Sequence, residues 1–206
     1  MTHDLRASPA PVAPQLPRPS TWFTWHDHLL APGVRVLDLA CGEGRHAIGA
    51  ALLGATVVAI DQDTAALERG RELGDARTLD IDWREADLTA PWPALGTFDL
   101  VLAFNYLDRA RMPEIRSLVA PGGALLMETF LVAQRHLGWG PQSDAHLLVA
   151  GELYNLMAPL AVAHYREVVE PLEGERWRAV ASAFAQHRPP TLTSELPSRG
   201  ATHPRP

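Results

Sequence analysis

The sequence predicts an α/β fold in which a parallel sheet is covered by helices on both faces, and three observations predict it. Short β-branched and aliphatic runs alternate with helix-like stretches of roughly ten residues, the order that builds parallel sheets through crossover helices. The first run, with Val34, Val36, Leu37 and Leu39, is apolar almost throughout, as strands buried on both faces are. The last two runs, 161–169 and 176–186, are joined by residues 170–175 alone. That is too short for a parallel crossover, so these two strands are antiparallel neighbours.

The elements follow in order. Residues 1–19 are rich in proline and alanine and read as a flexible tail; residues 189–206 read as a second, which leaves one domain over 20–188. Ser20 or Thr21 can cap a short helix over 22–30, stopped by Pro32-Gly33. The strand over 34–39 breaks at Cys41-Gly42-Glu43-Gly44, and a helical pattern starts at Arg45 and runs through Leu52 and Leu53. A second strand, 55–60, ends at Asp61, and 64–73 is helical with Gly74 as a natural stop. A third strand lies near 79–85, just before Asp87, and Pro91 and Pro93 mark a loop. The fourth strand, 98–104, leads into Asn105-Tyr106 and a helix over about 109–119. Pro121-Gly122-Gly123 then turns into a fifth strand, 124–130. From 131 to 146 the pattern lapses, at a length more typical of a lid or binding loop than of idle chain. A last helix covers about 151–157.

Composition narrows the function classes. A chain of 206 residues with 47% apolar residues suits one globular domain with a full core. A net charge of −6 offers no basic footprint for nucleic acid. Cys41 is the only cysteine, which fits a reducing compartment. The N-terminal residues lack the apolar core of a signal peptide, and no run is long enough to span a bilayer. These features predict a cytoplasmic protein. There is no HExxH, CxxC or similar spacing, so no metal site is expected.

The strand, glycine turn and helix start over 34–47 have the layout of a nucleotide-binding βα unit. Two cofactor classes compete for it. Gly42 to Ala47 formally satisfies the dinucleotide pattern GxGxxG/A, and Asp61 ends the second strand about twenty residues on, which suits an NAD-dependent oxidoreductase. Against this, Glu43 lies between the glycines and Asp38 just upstream, crowding carboxylates where an anionic pyrophosphate would rest. The antiparallel end of the sheet is also foreign to a doubly wound dehydrogenase. Both features suit a cationic ligand.

Asp38-Leu39-Ala40-Cys41-Gly42-Glu43-Gly44 resembles the first motif of the class I S-adenosylmethionine-dependent methyltransferases. Asp61 matches their ribose-binding acid, Ala86-Asp87-Leu88 resembles their adenine-contacting segment, and Pro121-Gly122-Gly123 another of their turns. Gly44-Arg45-His46-Ala47, Glu128-Thr129-Phe130 and Gly151-Glu152-Leu153 are similar to the bacterial tellurite-resistance-like small-molecule methyltransferases, with Ala150 where that subgroup often has proline. The resemblance implies a three-layer, Rossmann-like fold with a seven-stranded sheet, mostly parallel with one antiparallel strand. It also implies S-adenosyl-L-methionine as cofactor and a small-molecule methyl acceptor, with neither nucleic acid nor membrane as partner.

The cofactor set it implies is Asp38, Ala40, Gly42, Gly44, Asp61, Gln62, Asp87, Leu88 and Phe104. Asp61 would accept from both ribose hydroxyls and Asp87 from the adenine amine, while Leu88 packs on the ring. Asp38 either holds the methionine ammonium or orders the glycine turn from behind. Phe104 lines the methionine side, with Asn105 and Tyr106 toward the acceptor. Arg45 and His46 read as supporting residues, and Trp22 and Trp25 as core. A soft, already ionised acceptor needs no general base; a hydroxyl or amine needs one. Candidates for the catalytic role are Asn105, Tyr106, Glu128 and His136, with Arg135 and His146 as further groups in the long segment. Asn105-Tyr106-Leu107 lacks the prolines and second aromatic of the DNA adenine methyltransferase tetrapeptide. A non-catalytic adenosyl-binding module is the remaining alternative.

Overall fold

Successive side chains of a strand point to opposite faces, which is why strands covered on both sides are apolar at every position. In the computed structural model of the chain, which describes residues 15–172, 174 and 176–187, strand β1 (Arg35–Leu39) shows this directly. Leu37 and Leu39 enter one core cluster, while Val36 enters the other. Strand β4 (Phe98–Phe104) divides likewise, Val101 and Ala103 against Leu100, Leu102 and Phe104. Residues 1–14 and 188–206, which carry most of the two expected tails, lie outside the described residues.

Seven strands form one sheet. Besides β1 and β4 they are β2 (Thr56–Asp61), β3 (Ile81–Glu85), β5 (Val119–Phe130), β6 (Ala161–Pro171) and β7 (Trp177–Gln186). Their order is β3-β2-β1-β4-β5-β7-β6, and β7 alone runs antiparallel to its neighbours. The expected architecture is therefore present, including the antiparallel end forced by the short 170–175 connection. The helices are α1 (Thr21–Thr24), α2 (Arg45–Leu52), α3 (Thr64–Asp75), α4 (Met112–Ser117) and α5 (Glu152–Leu156). One core cluster is closed by Met112 and Ile115 of α4 and Leu153 of α5; the other by Trp22 and Phe23 of α1, Ala47 and Ile48 of α2 and Leu67 of α3. No helix among the described residues is long and apolar enough to cross a membrane.

Strand β5 starts at Val119 rather than 124, so Pro121-Gly122-Gly123 lies within it, opposite a shift of register between Phe98 and Leu100 of β4. Four further elements depart from the sequence reading, each for a visible reason. The helix expected over 22–30 stops at Thr24, and a 3-10 turn follows at Asp27–Leu29. His26 Nδ1–H donates to the Trp22 carbonyl (2.8 Å), taking an acceptor the helix needed to continue. Ser20 is the cap, its Oγ accepting from Phe23 N–H. Gly74 does not stop α3; its carbonyl accepts from Arg77 and Leu79, and Thr78 (φ +56°) supplies the left-handed residue. The helix expected over 109–119 shrinks to Met112–Ser117, because Asp108 Oδ1 holds the Ala110 and Arg111 amides in a turn just before it.

The 131–146 segment is the fourth departure. It contains two 3-10 turns, Val132–Leu137 and Asp144–His146. Gln134 pins it to the sheet: fully buried, it accepts from Ala179 N–H (2.8 Å) and donates to the Trp139 carbonyl (3.0 Å). The segment packs against β7 rather than forming a lid.

Candidate active site

The strand order reverses between β1 and β4, and ligands of open α/β sheets gather beyond the carboxyl ends of the strands at such a point. A cavity of about 490 Å³ opens there. The β1 end contributes Ala40, Cys41 and Gly42; the β2 end Asp61 and Gln62; the loop after β3 Leu88 and Thr89; the β4 end Phe104, Asn105 and Tyr106. Pro17, Glu43, Arg45 and His46 complete its wall.

The backbone at its rim is unusual. Ala40 (φ +53°) and Asn105 (φ +57°) are two of three non-glycine residues with left-handed backbone among the described residues. Such strain, on the order of 1 kcal/mol or more per residue, gathers where a chain is shaped for a ligand. Gly42 (φ +55°) has open space where a Cβ would project, so the turn offers a bare backbone face to the cavity. Gly44 has another role. A Cβ there would lie 2.2 Å from the Trp83 ring, so it lets β3's tryptophan pack under the start of α2.

Asp61 is held in place from two directions. Its Oδ2 accepts from Gly42 N–H (2.7 Å) and its Oδ1 from Asp63 N–H (2.9 Å). Each oxygen keeps a further lone pair for a ligand hydroxyl. Asp38 faces the other way: buried at 1% exposure, its Oδ2 accepts from Ala47 N–H (3.0 Å). It orders the glycine turn from behind. Burial pushes its carboxyl up to about 7, against the opposing pull of the Ala47 hydrogen bond and Arg45.

Asp87, Gly44 and Asp38 are the three residues of the expected cofactor set that do not line the cavity; Ala40, Gly42, Asp61, Gln62, Leu88 and Phe104 do. The exposed Asp87 accepts from both the amide and hydroxyl of Thr89, bonds that hold its carboxyl below the usual range. It shapes the loop that presents Leu88 and Thr89.

The four catalytic candidates separate as clearly. Asn105 and Tyr106 line the cavity. The Tyr106 hydroxyl is buried without a hydrogen-bond partner among the described residues, and burial pushes it up to about 12. It is a phenol at neutral pH, a donor waiting for an acceptor rather than a base. Glu128 is fully buried, and its oxygens are taken by Arg178 (2.7 Å), Arg166 (3.1 Å) and Ser182 (2.8 Å). His136 is exposed on the 131–146 segment, as are Arg135, which pairs with Asp144, and His146. None of these four groups lines the cavity.

Sequence reasoning gave Arg45 and His46 only a supporting role and passed over Thr89 and Pro17. His46 Nε2 accepts from Ser20 N–H (3.2 Å), and its ring stacks on Phe104 at 3.8 Å. Burial, with Arg45 and Arg178 nearby, holds the imidazole well below its ordinary range, so it is neutral. The signal for Arg45 and His46 was their place directly after the glycine turn. Pro17 carried none, since it lies in a stretch that reads as tail, yet Leu16 beside it packs on the core.

Comparison with known proteins follows the same line. The methyltransferase domain family matches residues 36–123. The ubiquinone biosynthesis O-methyltransferase of Xanthomonas campestris pv. campestris (strain B100) is 31% identical over 163 residues, covering 75% of this chain and 64% of that protein. The ribosomal protein L11 methyltransferase of Symbiobacterium thermophilum is 35% identical over 131 residues, covering 62% of this chain and 42% of that protein. The chain thus spans less than two thirds of the length of these curated relatives. The crystal structure of TehB from Haemophilus influenzae aligns with a TM-score of 0.68 at 19% identity, over 81% of this chain and 61% of that one, a likeness of fold.

Proposed function

We propose that this chain is a class I S-adenosylmethionine-dependent methyltransferase that transfers a methyl group from S-adenosylmethionine to a small acceptor molecule, a reading supported by its match to the methyltransferase domain family and by its curated methyltransferase relatives. The observation that carries the reading is the cavity at the β1–β4 reversal, with the Asp61 carboxylate anchored at the end of β2 facing the open backbone of Gly42. A cavity of this size, with acidic side chains and a bare glycine face, fits an adenosyl compound carrying a positive sulfonium.

When bound, the cofactor supplies a methyl group already activated for in-line displacement. The chain's residues then supply alignment and exclusion of water. Asp61 accepts from the ribose hydroxyls, Leu88 and Thr89 bracket the adenine, and Phe104, stacked on His46, walls the methionine side. Asn105 and Tyr106 line the cavity beyond Phe104. The cofactor would supply both the methyl group and the thioether that leaves it, and the acceptor the lone pair that takes it.

The groups lining the cavity that could take a proton from an alcohol or amine are each engaged, Asp61 by the Gly42 and Asp63 amides and Glu43 by Arg69. His46 has its acceptor nitrogen committed to Ser20, and Tyr106 is itself protonated. An acceptor that arrives ionised needs no such group, and this favours it. The 31% identity to a ubiquinone biosynthesis O-methyltransferase supports a small-molecule acceptor. Incubation with S-[methyl-³H]adenosylmethionine and a panel of thiol, selenol and phenol acceptors tests the proposal. Radiolabel should move to one acceptor class. Tight binding of the demethylated cofactor with no transfer to any member would instead favour an adenosyl-binding module.

A further inference from the structure

Arg45 stands between two cavities. Besides the one described, it lines a second of about 680 Å³. Leu16, Pro19, Pro171 and Leu172 give that chamber apolar walls, and Arg18, Arg176 and Arg178 also border it. The charges nearby do not balance. Arg166 and Arg178 each pair with both Glu128 and Glu170, which makes a closed, neutral square. Arg45 lies beside that square, attracted by Glu128 and repelled by Arg178, yet makes no hydrogen bond or ion pair with the described residues. Asp38 and Glu128 attract it without touching it, so among the described residues the desolvation of this partly buried guanidinium is only partly offset, and a ligand's anion in direct contact would complete the compensation.

We infer that the second chamber is the acceptor compartment of the same active site and takes an organic anion, its apolar body against Leu16, Pro171 and Leu172 and its acidic group on Arg45. The inference rests on the methyltransferase reading above and extends it to the acceptor's chemistry. Arg45 reaches both cavities, so an anion held there lies beside the place where the methyl group is presented. The planar fork of a guanidinium suits a carboxylate held in two-point contact.

Calorimetry on the chain saturated with S-adenosylhomocysteine tests it, using 2-naphthoate and benzoate as anionic probes and their amides as neutral isosteres. At least one acid should bind, and its amide should bind at least about tenfold more weakly. Arg45→Gln and Leu172→Glu should each weaken the acid by about tenfold or more and S-adenosylhomocysteine by less than about threefold; Arg45→Lys should retain part of the acid binding. No acid binding, equal binding of acid and amide, or sulfate binding as tightly as either acid would overturn the inference. So would a tenfold loss of S-adenosylhomocysteine in Arg45→Gln, which would assign the guanidinium to the cofactor's own carboxylate. Failure of S-adenosylhomocysteine to bind the unmodified chain would refute the functional reading itself.

Discussion

At the scale of single residues, two aspartates at neighbouring strand ends have opposite environments. Asp61 lines the cavity and is oriented by two backbone amides. Asp61→Asn keeps the shape but loses the charge that strengthens a hydrogen bond from a ribose hydroxyl. The affinity for S-adenosylhomocysteine, read by calorimetry, should fall by roughly ten- to a hundredfold, and the melting temperature should fall as well, because the new amide nitrogen faces the Gly42 or Asp63 N–H that the carboxylate accepted from. Asp38 is sealed behind the turn, its carboxyl raised from 3.8 to about 7. A raised folded value means that the native state holds this proton more tightly than the unfolded chain. The associated stability is complete below about pH 4 and is lost as pH rises toward 7. Asp38→Asn removes the titration while keeping an acceptor for Ala47. Urea unfolding should show the variant gaining on the wild type by roughly 1–4 kcal/mol between about pH 4 and pH 8. A difference that stays flat with pH would show that Asp38 does not titrate in this range.

At the scale of elements, the β1–turn–α2 unit is positioned by a contact between sequence-distant residues. Trp83 of β3 fills the space that a Cβ on Gly44 (φ +72°) or Gly70 would occupy. Gly44→Ala should therefore cost roughly 2–4 kcal/mol, from strain and overpacking together. Combining it with Trp83→Leu should recover part of that loss, a coupling that a double-mutant cycle reads directly. The sequence announced the turn but not this contact, because the pairing of β3 with β2 that delivers Trp83 is non-local. The same limit explains Glu128. A glutamate near the end of an apolar strand resembles a catalytic group, and only the placement of Arg166 and Arg178 on β6 and β7 shows it to be one corner of an ionic square. His136 and its neighbours looked available because their segment lacks periodicity; Gln134, which accepts from the backbone amide of the distant Ala179, is what ties that segment down.

At the scale of the whole molecule, the fold was legible because its determinants are local. Buried strands, intervening helices and one short connection together specify a parallel sheet with an antiparallel end. The cavity was legible where residues directly follow strands, as Ala40, Gly42, Asp61, Gln62, Phe104, Asn105 and Tyr106 do. It was illegible where distant chain folds over it, as Pro17 does, and where a helix start turns a side chain inward, as at Arg45 and His46. The central claim is that an adenosyl sulfonium compound lies across the ends of β1, β2 and β4. A crystal structure with S-adenosylhomocysteine bound tests it most directly. The account predicts ribose hydroxyls within hydrogen-bonding distance of Asp61 and the adenine against Leu88. An empty cavity at saturating ligand, or the nucleoside bound elsewhere on the molecule, would contradict it.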